Sequence, residues 1–319
     1  MRTRNLFTAF LFLFIGSLLG GCSGSHADSE TQAQRQTPAP PSLDYIGAWG
    51  VKGSDPGQLD DPTGIAVDAV GDSYIPDAAT QFVQKFDATG TPLLSFQDTL
   101  LKHPQSITLD HGGGIYITDA VRGSCFVFFP EGDRYRELHL RSRPNAEDML
   151  SVAVDDEGDV HVLDSNAGTV FTYARFQLAR TWKAPANSGG GGKLRGRIVA
   201  GPGDSLYIAD PGANRFLRFG RDGVLLAEIT PQPQSGAPKL SEEFTVSANA
   251  IFGMDADGRM LHVWTLDGKP KLDRDLAPEL LANGGQAKRY PPALAISPRG
   301  ELLVLDAPEA RVLRYHIGF

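Results

Sequence analysis

Chemistry in this chain would have to rest on seven histidines, two cysteines and a recurring set of aspartates. The histidines form no constellation. His103 precedes Pro104 on a connecting loop, His111 sits in a turn, and His161, His262 and His316 fall in the outer strands of a repeat. They share no repeat position, so the three-His arrangement that holds a zinc ion with one open site is not expected. No G-x-S-x-G elbow, Walker loop or Cys–His set occurs. The Gly189 to Gly192 run before Lys193 has no apolar strand leading into it and no helix after it. It reads as a loop rather than a phosphate cradle. The sequence therefore supplies no catalytic set and calls for no metal or cofactor. Cys125, between Ser124 and Phe126, reads as a small buried hydrophobe.

The aspartates recur in register. Asp77, Asp119, Asp164, Asp210, Asp255 and Asp306 are 42 to 51 residues apart. Each closes a short apolar run, where a carboxylate can accept backbone N–H groups of the following loop. A structural role repeated in each unit is the expectation. Arg215, Arg259 and Arg311, near the start of third strands, are read the same way. The turns Asp68–Gly71, Asp155–Gly158 and Asp255–Gly258 lack the acid ladder and distal Glu of a calcium loop and read as hairpin turns.

The elements that position these residues are β-strands. The segment PTGIAVDAVGDSYIPDAATQFVQKFDATG (Pro62–Gly90) alternates short Ile/Val/Tyr/Phe runs with Gly/Asp turns. With Pro92 to Phe96 it makes four strands of an antiparallel meander. Worn copies follow at Ile107–Asp133, Val152–Ala174, Ile198–Gly223, Ala250–Gly268 and Leu294–His316. Four strands per unit at this period specify an all-β propeller, here of six four-stranded antiparallel blades. The sixth copy ends on its third strand. Tyr45–Gly50 can supply the missing outer strand, so the N-terminal strand is expected to pair with the C-terminal blade and remove the open edges.

Ahead of the propeller, expected over 44–319, the chain reads as a targeting leader. Arg2 and Arg4 precede an apolar core, Leu6 to Leu19, too short for a comfortable membrane span. The leader, 1–21, runs into Cys22 through Leu19-Gly20-Gly21-Cys22, which resembles the bacterial lipobox. That resemblance implies lipidation of Cys22, and Ser23 after it points to the outer membrane in a double-membraned cell. Residues 22–43 are polar and Pro-rich and read as a disordered tether. With Cys22 lipidated, Cys125 has no disulfide partner. The formal net charge of −8 argues against nucleic acid as a partner.

The pattern P-x-G-I-A-V-D, then G-x-x-Y-I-x-D, then a V-x-K-F-D-like third strand resembles the NHL-repeat family of six-bladed propellers. The unit starting at Pro62 matches best. The fifth departs most, with Phe252-Gly253-Met254 where Tyr-Ile-Ala is expected. The broader group includes binding scaffolds, RNA-binding domains and lyases, so the resemblance implies fold more than function. Lyases of this group hold a metal or a catalytic His near the central channel. The matching positions, Thr63, Gln105, Leu150 and Ala293, contain no histidine.

Strand direction places the second-to-third-strand loops and the inter-blade loops on one face. The longest inter-blade loops are expected over 141–148, 183–196, 231–243 and 273–291. They carry Arg141, Arg143, Lys193, Arg195, Arg197, Lys288, Arg289 and Tyr290. Clustered cations on an acidic protein make this the candidate face for an envelope polymer or a protein partner's acidic patch. The expectation is a lipid-anchored binding scaffold of the cell envelope. The alternative is a metal-dependent lyase or lactonase-like enzyme.

Overall fold

The computed structural model describes residues 40–140, 149–185, 194, 196–233, 239–281 and 292–319. They form six four-stranded antiparallel sheets. Blade one is β2 (Ala66–Val67), β3 (Ser73–Pro76), β4 (Phe82–Phe86) and β5 (Pro92–Gln97). Blade two is β6 (Pro104–Leu109), β7 (Ile115–Asp119), β8 (Ser124–Phe128) and β9 (Arg134–His139). Blade three is β10 (Leu150–Val154), β11 (Val160–Asp164), β12 (Thr169–Ala174) and β13 (Gln177–Lys183). Blade four is β14 (Ile198–Gly201), β15 (Ser205–Asp210), β16 (Arg215–Gly220) and β17 (Leu225–Ile229). Blade five is β18 (Leu240–Val246), β19 (Ile251–Asp255), β20 (Met260–Trp264) and β21 (Pro270–Asp275), followed by a single helical turn, α1 (Ala277–Leu280). Blade six is β22 (Ala293–Ile296), β23 (Glu301–Asp306) and β24 (Arg311–Gly318), completed on its outside by β1 (Ser42–Trp49).

The ring closes by pairing of the two ends of the propeller. β1 runs antiparallel to β24 from Ser42 opposite Gly318 to Trp49 opposite Val312, with a bulge between Tyr45 and Gly47. The strand starts three residues before the expected Tyr45, because Leu43 is apolar and buries itself against blades five and six. The Trp49 ring then lies 4.9 Å from Phe86 of blade one. Gly90, at φ +91°, turns beneath the same indole, where a Cβ would come within 2.3 Å of it. Only glycine combines that left-handed backbone with that approach.

The sheets pack face to face through buried strand residues, one cluster between each neighbouring pair. Val83, Ile107, Ile115 and Phe126 join blades one and two. Phe216, Phe244, Ile251 and Trp264 join blades four and five. The departure of blade five from the repeat pattern has a packing cause. Trp264 is fully buried, and a Cβ on Gly253 would sit 3.0 Å from its ring. A larger residue there would displace the indole.

Several expectations need correction. The segment expected as loop over 273–291 begins inside β21, which runs to Asp275, and holds α1. β18 starts at Leu240, inside the segment expected to be loop up to Glu243. The pair Glu242-Glu243 masks a strand whose Leu240 and Phe244 are core residues. His161 lies on the second strand of its blade and is fully buried, not on an outer one. Its ring nitrogens lie 3.1 Å from Asp155 Oδ2 and 3.1 Å from Thr172 Oγ1. Burial pushes the Asp155 carboxyl up, but His161, the Asp159 N–H and Arg221 together hold it below its ordinary value.

The recurring aspartates act on backbone. Asp77 is fully buried. Its Oδ2 accepts the N–H groups of Asp60 and Asp61 at 2.7 and 3.1 Å, and its Oδ1 those of Ala79 and Thr80 at 3.1 and 2.9 Å. One carboxylate thus ties the inter-blade segment to the second-to-third-strand loop. Asp119 repeats this with Lys102, His103 and Arg122. Asp164 accepts from Ala167, and Asp255 from Arg259 and Met260. Asp210 and Asp306 each hold an arginine Nε at 3.0 Å, from Arg215 and Arg311 respectively. Arg259 instead pairs with Asp275. Asp77→Ala leaves four N–H groups without their acceptor and is expected to cost about 3 kcal/mol. Urea denaturation checks it: the midpoint falls while the slope stays constant.

Candidate functional site at the channel mouth

Six innermost strands, one per blade, surround a central channel. Adjacent innermost strands are splayed apart, so side chains take over some of the backbone hydrogen bonding. Ser106 Oγ accepts from the Val152 N–H at 3.4 Å and Ser151 Oγ from the Ile198 N–H at 3.1 Å. Gln105 Oε1 accepts from the Leu150 N–H at 2.8 Å. Blades two, three and four are stitched together in this way.

Aligning the repeats on their first inward apolar residue (Ile65, Ile107, Val152, Ile198, Phe244, Leu294) brings six preceding residues into one register. They are Gly64, Ser106, Ser151, Arg197, Glu243 and Ala293. Four are small. The two adjacent blades four and five supply the only charged members, and these fill the space the small ones leave. Arg197 Nε meets Glu243 Oε1 at 2.8 Å. Arg197 Nη2 donates to the Thr63 carbonyl of blade one at 3.4 Å, so the side chain reaches to the far side of the channel. Ser241 Oγ, which donates to the Met254 carbonyl, accepts the Glu243 N–H at 3.1 Å and holds β18 in place.

The Arg197–Glu243 bar separates two cavities, both of which it lines. The one at the mouth has a volume of about 240 Å³ and is also lined by Asp61, Thr63, Gln105 and Ser151. The one below, about 260 Å³, is bounded by the innermost strands. Glu243 is 6 % exposed. Burial pushes its carboxyl up to about 7, against the pull of the Arg197 guanidinium, and the neighbouring Glu242 charge adds to the rise. The floor of the mouth therefore holds a fixed cation beside an acid that exchanges its proton near neutral pH. Such a pair can orient a polar ligand, and the acid can take up or release a proton there.

Of the residues expected to form a basic face, Arg197 is the one the structure describes, and it faces the channel in an ion pair. Its loop assignment is corrected accordingly: it immediately precedes β14, whose first apolar residue is Ile198. Arg141, Arg143, Lys193, Arg195, Lys288, Arg289 and Tyr290 lie outside the described residues, as do Cys22 and the whole of the expected leader. Met149, Gly196 and Pro292, which border three of these segments, line the mouth. Thr63, Gln105, Leu150 and Ala293 also line it. Glu243 was not singled out in the sequence. The signal for it was the register, since a charged residue stands where four of the six repeats carry Gly, Ser or Ala. Among the described residues no three His, Cys, Asp or Glu side chains gather as a metal site would require. Cys125 is free and buried, and burial raises its thiol far above the usual range.

No family model matches the chain. No curated protein matches it either. Solved structures do. A streptogramin B lyase shares 15 % identity at a TM-score of 0.62, with 86 % of this chain and 98 % of that one covered. Virginiamycin B lyase from Staphylococcus aureus shares 13 % identity at a TM-score of 0.60, covering 86 % and 99 %. A catalytically inactive variant of the Staphylococcus aureus enzyme, with quinupristin, shares 12 % at a TM-score of 0.57, covering 83 % and 81 %. Likeness at this identity shows the six-bladed fold and carries no activity with it.

Proposed function

We propose that this is an NHL-type propeller lipoprotein of a bacterial envelope, tethered through Cys22, that works as a binding scaffold. Its working face is the channel mouth together with the inter-blade loops around it, and its partner is a protein or an envelope polymer. The observation that carries this reading is the meeting of the mouth cavity with the borders of the long inter-blade segments at Met149, Gly196 and Pro292. A rigid wheel whose long inter-blade segments are bordered by residues of one opening is the arrangement that suits recognition. The basic residues of those segments supply attraction to an acidic patch or chain.

The test is capture from detergent-solubilised membranes by the full chain and by a K193A/R195A/K288A/R289A variant. Arg197 is left in place, because its removal would strand Glu243. A partner held by the wild type and lost by the variant is the expected result. An unchanged set of captured partners overturns the choice of face. The lyase or lactonase reading would need a histidine or metal-ligand set, which the described mouth residues do not supply. Stoichiometric zinc or calcium in the purified chain would revive it.

A further inference from the structure

The opposite face of the wheel carries a second feature, independent of the mouth. The third-to-fourth-strand hairpins of blades two and three emerge there. The first carries Phe129 and Tyr135, 46 % and 44 % exposed. Their rings lie 5.0 Å apart at 57°. The second hairpin turns through Arg175 and Phe176, at φ +49° and +63°. Both are left-handed positions that a two-residue turn normally gives to Asn or Gly. Large side chains there strain the backbone. The turn sets the Phe176 ring edge-on to Tyr135, 5.3 Å away, and leaves Arg175 in solvent. The Arg136 guanidinium lies over the Tyr135 and Phe176 rings, 5.4 Å from each centroid, and so covers part of the face of each. Among the described residues neither Arg136 nor Arg175 pairs with a carboxylate.

We infer that Phe129, Tyr135, Phe176 and Arg136 form a platform for the sugar rings of an uncharged glycan chain. Three properties point to that class. The aromatic surface is three rings, Phe129 and Tyr135 exposed and Phe176 half-buried, well below the roughly 800 Å² per partner that a protein interface needs. Its polar fringe is balanced, with Arg136 and Arg175 against Glu131 and Asp133 and with Arg134 paired to Asp98 at 2.8 Å, so no net charge selects an acidic or basic chain. The exposed rings of Phe129 and Tyr135, beside charged donors and acceptors, match a ligand with an apolar ring face and hydroxyls at its edge. This inference does not rest on the loop-face reading.

The experiment uses the full chain in detergent and beads of a neutral β-1,4-linked N-acetylglucosamine polymer, with polyuronate beads as the charged comparison. The wild type is expected to be retained on the neutral beads and displaced by the soluble tetrasaccharide. F129A/Y135A is expected to bind at least about tenfold more weakly, and Y135F to stay close to wild type. Should F129A/Y135A not fold, saturation-transfer NMR on the wild type reads the same point through transfer from aromatic protons to the apolar ring face of the tetrasaccharide. Failure of the wild type to bind the neutral polymer, equal binding by F129A/Y135A, absence of that transfer, or retention on polyuronate alone would each overturn the inference. Displacement by a protein but not by the tetrasaccharide would overturn it too.

Discussion

Arg197→Ala is expected to lower the unfolding free energy by about 3 kcal/mol at pH 8, and by markedly less at pH 5. The loss arises because the substitution strands a carboxylate that is 6 % exposed. The attraction it removes acts across 2.8 Å between Nε and Oε1. At pH 5 Glu243 is protonated and has little need of a cation. At pH 8 it must either ionise without compensation or hold a proton against the solvent. The double variant R197A/E243Q should recover most of the loss at pH 8, which a purely steric role for the arginine would not allow. Glu243→Gln alone isolates the titration. The folded carboxyl titrates near 7 against an ordinary value of 4.5. A raised acid pKa favours the folded state fully below 4.5, and that contribution fades as pH rises through 7. Its size is about 3 kcal/mol at 1.36 kcal/mol per unit. Stability curves of wild type and E243Q should therefore diverge between pH 4.5 and 7.5, with the wild type falling relative to the variant. Parallel curves would contradict the assignment. Acids with lowered values, such as Asp155, shape the absolute curve in the opposite sense, so the difference between the two proteins is the quantity to read.

A chain that begins at Gly50 is expected to lose cooperative folding altogether. β1 supplies the outermost strand of blade six through seven registered pairs with β24. Without it, β24 presents an unpaired edge from Arg311 to Gly318, open to pairing with another chain. Leu43 leaves the core between blades five and six, and Trp49 leaves Phe86. Tyr315 loses the Tyr45 ring 5.6 Å away. The expected signs are aggregation and a broad thermal transition in place of a single one. A synthetic Ser42–Trp49 peptide added in trans should restore the transition, because the missing strand is one contiguous segment. A sharp, unchanged transition for the shortened chain would show that closure does not depend on β1.

Much of the wheel was legible in the sequence, and the illegible parts have physical reasons. Blade one could be read strand by strand because each of its apolar runs is bounded by an Asp or Gly turn. Closure was legible because the last repeat lacks one strand and the segment before the first has one to spare. β18 was not, because it alone among the innermost strands carries two carboxylates, Glu242 and Glu243, in its middle. The same pair hid the channel floor. A charged residue before a strand reads as loop until the six registers are aligned, and Arg197 and Glu243 explain each other only across two blades. The Phe129–Tyr135–Phe176 cluster was equally hidden, since two hairpins some 40 residues apart bring its rings together.

The most direct test of the proposed working face is photo-crosslinking in intact membranes from two exposed positions. One is Asp61, at the mouth, and the other is Val70, in a turn on the opposite side. A photoreactive residue at position 61 is predicted to give a discrete adduct that the K193A/R195A/K288A/R289A changes abolish, with no equivalent from position 70. An adduct from position 70 with none from 61 would contradict the account and move the partner to the other face of the wheel.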